Sequence, residues 1–421
     1  MKKIIVSIIV ALPLLISAQN LNGRFTSSFY TFQRFDNLNS SDAFLRNTEA
    51  LTLNFNYNKF SLRTRMNFET NIGASLDNDP RLRFYNLYLE ARDILSFATI
   101  KLGRQPMFAP ITGGLFDGVN LKFKYEGYSI SGFYGGNLPA YQKLEFLKDL
   151  SDNYVMGARF NANPFSHLNL AVSYYDKNYK TMDYDALRLD EGLDPISVLI
   201  QQKSNQFKFL SGEASYEMPG IFDVNAIYEH DLNYKETSKI EANGRVWITE
   251  ELGVTGYYNW REPKIRYNSI FSVFNFGHTE EYEGGIDYKI SKNFTAFGKF
   301  GNVKYEDENS QRLSVGATTS IGSISYRKNF GYAGELDNIS VYAAKSYREG
   351  LITPSIGVSY TSYKLSKDAE KNNITAILAG FNLRPWKTWS FDLQGQFFNN
   401  KIYHNDFRFL FKINHWFNTN F

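Results

Sequence analysis

Cysteine is missing from all 421 residues, which removes disulfides and thiol chemistry from consideration. A long apolar run is missing as well. After residue 18 no stretch of eighteen apolar residues occurs, so that part of the chain offers no transmembrane helix candidate. An excess of either charge is also missing. The net charge is +3, or +1 once Lys2 and Lys3 are set aside, which argues against a nucleic-acid partner. No linker, no Pro/Ser-rich hinge and no shift of composition divides the chain. No repeat of fixed length marks a solenoid or propeller.

Catalytic and cofactor motifs are absent too. There is no G-x-S-x-G, no P-loop and no dinucleotide-binding glycine fingerprint. His167, His230, His278, His404 and His415 are scattered, with no metal-ligand spacing such as H-x-x-x-H. No catalytic residue, metal or cofactor is therefore assigned.

Aromatic residues are abundant: 36 Phe and 29 Tyr, with aromatics at 17%. They sit in short segments that alternate apolar and polar. Val119, Leu121, Phe123 and Tyr125 interleave with Asn120, Lys122 and Lys124. Ile240, Ala242, Val246 and Ile248 interleave with Glu241, Asn243 and Arg245. Leu51, Leu53, Phe55 and Tyr57 share one face of a segment; Phe60, Leu62, Met66 and Phe68 share one face of the next, opposite Arg63, Arg65 and Asn67. A period of two is the strand signature. Alternation keeps the mean hydropathy low, here -0.37, even in strands that meet lipid. Aromatic girdles at two bilayer interfaces account for the aromatic excess.

The last fifteen residues sharpen this. Phe407, Phe409, Phe411, Ile413, His415, Phe417, Thr419 and Phe421 occupy one face, and Arg408, Lys412, Asn414, Asn418 and Asn420 lie between them. This resembles the C-terminal strand of bacterial outer-membrane β-barrels, which implies that the assembly machinery reads Phe417 and Phe421. At the other end, Lys2 and Lys3 precede an apolar stretch from Ile4 to Ile16, and Ile16-Ser17-Ala18 forms a small-residue cleavage site. Residues 1–18 read as a secretory signal and 19–421 as one barrel.

The expected fold is an all-β, transmembrane antiparallel barrel of about 22 strands, with 18 to 22 allowed by weak segments at Ser323–Phe330 and Ile339–Ala343. Short turns are expected at Asn58-Lys59, Glu126-Gly127, Met218-Pro219-Gly220, Thr249-Glu250-Glu251, Ser291-Lys292-Asn293 and Gly322. Long loops are expected at 34–46, 105–117, 137–153, 176–205 and 262–278. This alternation puts both termini on the periplasmic side.

The polar faces would line a lumen. The candidates are Arg63, Arg65, Lys101, Arg104, Lys122 and Lys124 on early strands, with Asp117 beside them; later strands supply Arg245, Glu281, Glu283 and Asp287, together with Glu213 and Glu241. A cationic sector facing an anionic one would set a transverse field across the pore. Leu102 to Val119 reads LGRQPMFAPITGGLFDGV. Its L-G-R-Q and F-D-G-hydrophobic elements resemble Gram-negative porins, including the alginate-export type, over residues 81–136. The resemblance implies a monomeric or weakly associating diffusion barrel for anionic or sugar-like solutes, with Lys101, Arg104, Lys122 and Lys124 suited to them. No long arginine ladder follows, so a polyuronate solute is not secured. This loop either folds inward and narrows the lumen or lies outside.

Loop 176–205 carries Asp176, Asp183, Asp185, Asp190, Glu191 and Asp194; their spacing does not fit an EF-hand, and a solvated external face is the better reading. Residues 143–151, KLEFLKDLS, are either a helical cover over the mouth or packing. The strands begin near Gly23, with no plug domain of a TonB-dependent transporter and no N-terminal hatch. Together these features predict an outer-membrane channel for passive diffusion of small polar or anionic solutes. Its expected partners are outer-membrane lipid, lipopolysaccharide and the barrel assembly machinery. An occluded structural barrel of a secretion or surface complex, and a barrel enzyme, stay open as alternatives.

Overall fold

The computed structural model describes residues 20–421, apart from 38–39, 74–78, 108–112, 139–149, 180–183, 191, 201–205, 268, 274–276, 307, 332–333, 367–368 and 402–404. The expected signal, residues 1–18, and His404 lie outside the described residues, as does most of the expected cover at 143–151.

The strands are long because the alternating segments are long. In chain order they are β1 (Asn20–Asn37), β2 (Ser40–Tyr57), β3 (Phe60–Ile72), β4 (Arg81–Ile94), β5 (Ala98–Met107), β6 (Gly114–Tyr125), β7 (Tyr128–Asn137) and β8 (Tyr154–Phe165). Next come β9 (Leu168–Lys177), β10 (Tyr184–Leu189), β11 (Pro195–Ile200), β12 (Phe207–Met218), β13 (Phe222–Asp231), β14 (Glu236–Trp247), β15 (Leu252–Arg261) and β16 (Thr279–Ser291). The last are β17 (Phe294–Tyr305), β18 (Glu308–Thr319), β19 (Gly322–Gly331), β20 (Glu335–Ala344), β21 (Ile352–Lys364), β22 (Asn372–Trp386), β23 (Trp389–Asn399) and β24 (Asp406–Asn420). One 22-stranded sheet takes all of them except β10 and β11, which pair with each other as a hairpin in the long loop after β9.

The sheet closes on itself. β1 pairs antiparallel with β24 from Asn20↔Asn420 to Tyr30↔Leu410. Closure pairs the backbones of the two terminal strands over Asn20–Tyr30, so the main sheet has no first or last strand. Side chains reinforce the seam at the end that carries both termini. Asn20 Nδ2 donates to Asn418 Oδ1 and Asn420 Oδ1, each at 2.7 Å. Asn22 Nδ2 donates to Asn20 Oδ1 at 2.6 Å, and Asn54 Nδ2 to Asn22 Oδ1 at 3.0 Å. These asparagines occupy the inner register of three adjacent strands, β24, β1 and β2.

Period-two alternation decides the faces. On β24 the odd positions from Phe407 to Thr419 share the outer face, and Phe421 is exposed just beyond the strand. Ile130, Val172, Ile286 and Ile356 are 52–54% exposed on the outer registers of β7, β9, β16 and β21. In water such a continuous apolar exterior would be an aggregation surface; in hydrocarbon it is the stable arrangement. Among the described residues nine apolar side chains are buried, which is no core for a soluble sandwich of this length. The barrel is therefore membrane-spanning. Among the described residues no helix is long and apolar enough to cross a membrane. Aromatic contacts mark the rim near the termini: Trp389 lies 4.2 Å from His415 between ring centroids, and His415 lies 6.0 Å from Phe417. His415 is thus an outward, interfacial residue, and Phe417 lies against Gly23 on the closing seam.

Three expected connections differ from the structure, the first being the loop at 105–117, where β5 runs to Met107 and β6 starts at Gly114. Residues 34–46 do not form a long loop: β1 continues to Asn37 and β2 resumes at Ser40. Phe32 and Phe44 are a directly opposed pair with ring centroids 5.4 Å apart, and Arg46 lies over the Phe32 ring. Cross-strand aromatic contact extends the hairpin through a segment whose Ser, Asn and Asp content reads as loop. The turn assigned to Gly322 falls on Ser320-Ile321, and Gly322 opens β19. Gly322 is required there by close approach, because a Cβ would collide with the Tyr342 carbonyl oxygen. The two weak segments are complete strands, β19 and β20, so the total is 22.

Candidate functional site in the barrel lumen

The inner register is a set of rows running around the wall. Arg63 stands between Asn54 and Tyr88. Arg65, on the same face of β3, lies opposite Asn86 and has its guanidinium 5.4 Å from the centre of the Tyr85 ring. Lys101 stands between Glu90 and Asn120, Lys122 between Thr99 and Ser131, and Lys124 opposite Ser129. Further round, Arg245 lies between Asp223 and Thr255, Glu281 opposite Asn259, Glu283 opposite Tyr257 and Asp287 opposite Gly253. All these predicted residues share the inner face.

Arg104 and Asp117 do not share it. They oppose each other directly across β5 and β6, on the register of Leu102 and Val119, and the guanidinium grips the carboxylate with two bonds of 2.9 Å. Arg104 is 8% exposed. The pair stitches two strands together at the long-loop rim and adds no charge to the inner wall. β5 and β6 stay in unbroken register through this stretch, so plain alternation puts Arg104 with Leu102 and Asp117 with Val119.

The charges are not arranged as two opposed sectors. Each predicted inner carboxylate has a cation within reach. Glu213 binds Arg159 with two bonds of 2.5 and 2.8 Å, Glu241 binds Lys239 at 2.7 Å, and Asp287 binds Arg245 at 2.7 Å. Arg312 bridges Glu281 and Glu283, with Lys299 3.6 Å from Glu283. On the early strands Arg63 and Lys101 share Glu90, at 2.7 and 4.0 Å. Among the described residues Arg24, Arg65, Arg92, Lys122 and Lys124 have no carboxylate partner. The anionic sector expected from Glu213, Glu241, Glu281, Glu283 and Asp287 is thus largely paired with cations, and unpaired cations remain on β1, β3, β4 and β6. Arg159 and Arg312, which complete the pairing, were not singled out in the sequence. They lie 54 and 31 residues from their partners, and only the strand register brings them together.

One part of the inner wall is apolar. Met107, Phe116, Val155, Tyr175 and Phe209 form a buried cluster, with Phe133 and Phe207 packed against it. Met107 and Phe116 flank the loop expected to narrow the lumen; residues 108–112 between them lie outside the described residues. The sequence signal for this patch is glycine on the inner register. Gly118, Gly135 and Gly157 occupy positions where a side chain would strike neighbouring strands or, at Gly157, the Phe133 ring.

The long connection after β15 reaches the inner face. Its Lys264 Nζ meets Glu229 Oε2 at 2.7 Å, and Glu229 is 1% exposed on the inner face. The same ammonium lies 5.4 Å from the centre of the Phe209 ring. The Tyr267 amide donates to the Gln206 carbonyl at 3.0 Å, and the Glu262 amide to the Ser238 carbonyl at 3.0 Å. In the loop after β9, Asp190 commits its carboxylate to a turn, accepting from the Gly192 and Asp194 amides at 2.9 Å each. Asp176 accepts from the hydroxyls of Tyr154 and Tyr174 at 3.1 Å each. Asp183 and Glu191 lie outside the described residues.

The root of the inward loop is acidic. The Glu262 carboxyl is pushed up to about 7, first by burial, then by the Glu236 carboxylate, with which it also hydrogen-bonds, and by Asp231. The docked loop therefore favours the protonated carboxyl. Its contribution is whole below the ordinary value of 4.5 and is lost as pH rises through about 7. Amide hydrogen exchange over residues 262–267 should be slower, at matched intrinsic rate, at about pH 5 than at about pH 8. Glu262→Gln should flatten that dependence; equal protection at both pH values in the unmodified chain contradicts it.

No protein-family model matches the chain, and no curated protein matches it. The resemblance over residues 81–136 therefore rests on those residues alone. Solved structures do match. The chain is similar to the P pilus usher (PapC) translocation pore, at 8% identity and a TM-score of 0.46, covering 95% of this chain and 99% of that one. It is similar to OccAB4 of Acinetobacter baumannii, at 10% identity and a TM-score of 0.44, covering 95% and 98%. It is similar to OccK2 (OpdF) of Pseudomonas aeruginosa, at 8% identity and a TM-score of 0.44, again covering 95% and 98%. These are likenesses of overall fold at low identity.

Proposed function

We propose that the chain is an outer-membrane channel through which small polar and anionic solutes diffuse passively. The observation that carries this reading is a run of unmatched cations on the inner wall of the early strands. Glu241, Glu281, Glu283 and Asp287 are held by Lys239, Arg312 and Arg245, while Arg24, Arg65, Arg92, Lys122 and Lys124 have no carboxylate partner among the described residues. Unmatched cations beside low-dielectric walls raise the local anion concentration and repel cations. Pore width at the long-loop end is set in part by the Lys264 loop and the flanks of the loop after β5. Placement in the outer membrane follows from export by the N-terminal segment and from assembly through β24, with Phe417 and Phe421 as the recognition residues. Outer-membrane lipid and lipopolysaccharide surround the apolar exterior; no cofactor, nucleic acid or catalytic step belongs to the reading.

The test is solute entry. Liposomes carrying the purified protein should swell in isosmotic solutions of small sugars, and faster with small organic anions than with organic cations of similar size. Liposomes as tight as protein-free ones would reject the channel and favour an occluded, partner-dependent barrel.

A further inference from the structure

We infer that the lumen wall between β4 and β9 is a binding subsite for amphipathic organic anions: a carboxylate or similar head on an apolar body. The inference deepens the channel reading by naming a solute class, and it rests on that reading for the solute's route in and out. A cavity of about 630 Å³ occupies this sector. Its lining carries Arg92, Lys101, Lys122 and Arg159 against Glu90 and Asp93. Arg159 is taken by Glu213 and Lys101 shares Glu90 with Arg63, which leaves Lys122 and Arg92 as the cations without a carboxylate. Ser131 lies directly opposite Lys122 and also lines the cavity, offering a hydroxyl beside the ammonium.

Apolar surface stands immediately next to that charge. Asn120 pairs with both Lys101 and Phe133, so Phe133 is one pleat above Lys122, roughly 7 Å along the wall. Phe133 and Pro106 are half-buried and line the cavity. Phe116, 1% exposed, backs the Phe133 ring at a centroid distance of 5.2 Å. A ring held from behind is a fixed apolar surface with little entropy to lose on contact. Each half of the site excludes a class of solute. An inorganic anion gains nothing from Phe133 and Pro106. A neutral hydrocarbon gains nothing from Lys122 and would leave it desolvated. A solute with an anionic head and an apolar body satisfies both.

The probes are benzoate, acetate and benzyl alcohol, measured by equilibrium dialysis against the detergent-solubilised full chain. Benzoate should bind saturably and about tenfold or more tightly than either other probe. Phe133→Ala should weaken benzoate about tenfold and leave acetate unchanged, whereas Lys122→Gln should weaken both anions. Equal affinity for benzoate and acetate, or unaltered benzoate binding in Lys122→Gln, overturns the subsite. Lys122 faces the wet side of the wall, so its variant tests the site even where Phe133→Ala does not assemble. Dialysis requires no conduction, which separates the two readings. Saturable benzoate binding to a barrel that passes no solute removes the channel and keeps the subsite; a conducting barrel without benzoate preference does the reverse.

Discussion

Leu53→Arg should cut the yield of assembled barrel about tenfold. Leu53 is on the outer register, between Gly23 and Thr64 and two pleats in from Tyr57 at the end of β2. The cost of an arginine on the lipid face is about 2–4 kcal/mol at the midplane; Leu53, opposite Gly23 near the terminal rim, sits short of it, and about 1.4 kcal/mol there lowers the ratio of folded to unfolded chain about tenfold. The cost falls toward the interface. Phe123, also outward, stands one pleat from the Tyr125–Tyr128 turn, so Phe123→Arg should lose less assembled protein than Leu53→Arg. The readout is the yield of protease-resistant barrel in the membrane fraction. Normal yield from Leu53→Arg would mean that the two faces have been exchanged.

Lys122→Glu combined with Lys124→Glu should assemble normally and invert ion preference. Both lysines face the lumen across β5–β7, and neither has a carboxylate partner among the described residues. Replacing them breaks no ion pair and leaves new charges in water, so stability should change little. The field changes by four elementary charges in one sector, and the ratio of anion to cation permeability should fall on the order of tenfold. Reversal potentials in a salt gradient measure this directly. An unchanged ratio would place the selectivity elsewhere, with the Arg24–Arg65 side as the next sector to vary.

These two predictions draw on different levels of legibility. The face of Leu53 or Phe123 is readable from alternation, because a period of two has one phase and a slip would turn every apolar side chain inward. The closing of the sheet was readable in kind, through the amphipathic β24 with its aromatic end. The pairing state of a lumen charge was not readable. Glu281 and Glu283 look like an anionic patch until β18 brings Arg312 against them, and Glu213 looks unpaired until β8 brings Arg159. Such partners depend on register between strands, which local sequence does not specify. Arg104 and Asp117 are the opposite case: the phase of Leu102 and Val119 puts them off the inner face, and only their charge suggests a lumen role. The tip of β1 and β2 was lost because strands that project past the membrane no longer need an apolar face. The Phe116–Phe133 patch was hidden because alternation assigns aromatics to lipid by default, although the glycines opposite it are the mark of ring packing on the inner wall.

The central claim is that the lumen conducts and that its unmatched cations set its preference. Single-channel recording of the purified chain in a planar bilayer under a potassium chloride gradient tests both parts at once. The account predicts steady open conductance with a reversal potential on the anion-selective side. A silent barrel, or a reversal potential on the cation-selective side, would contradict it.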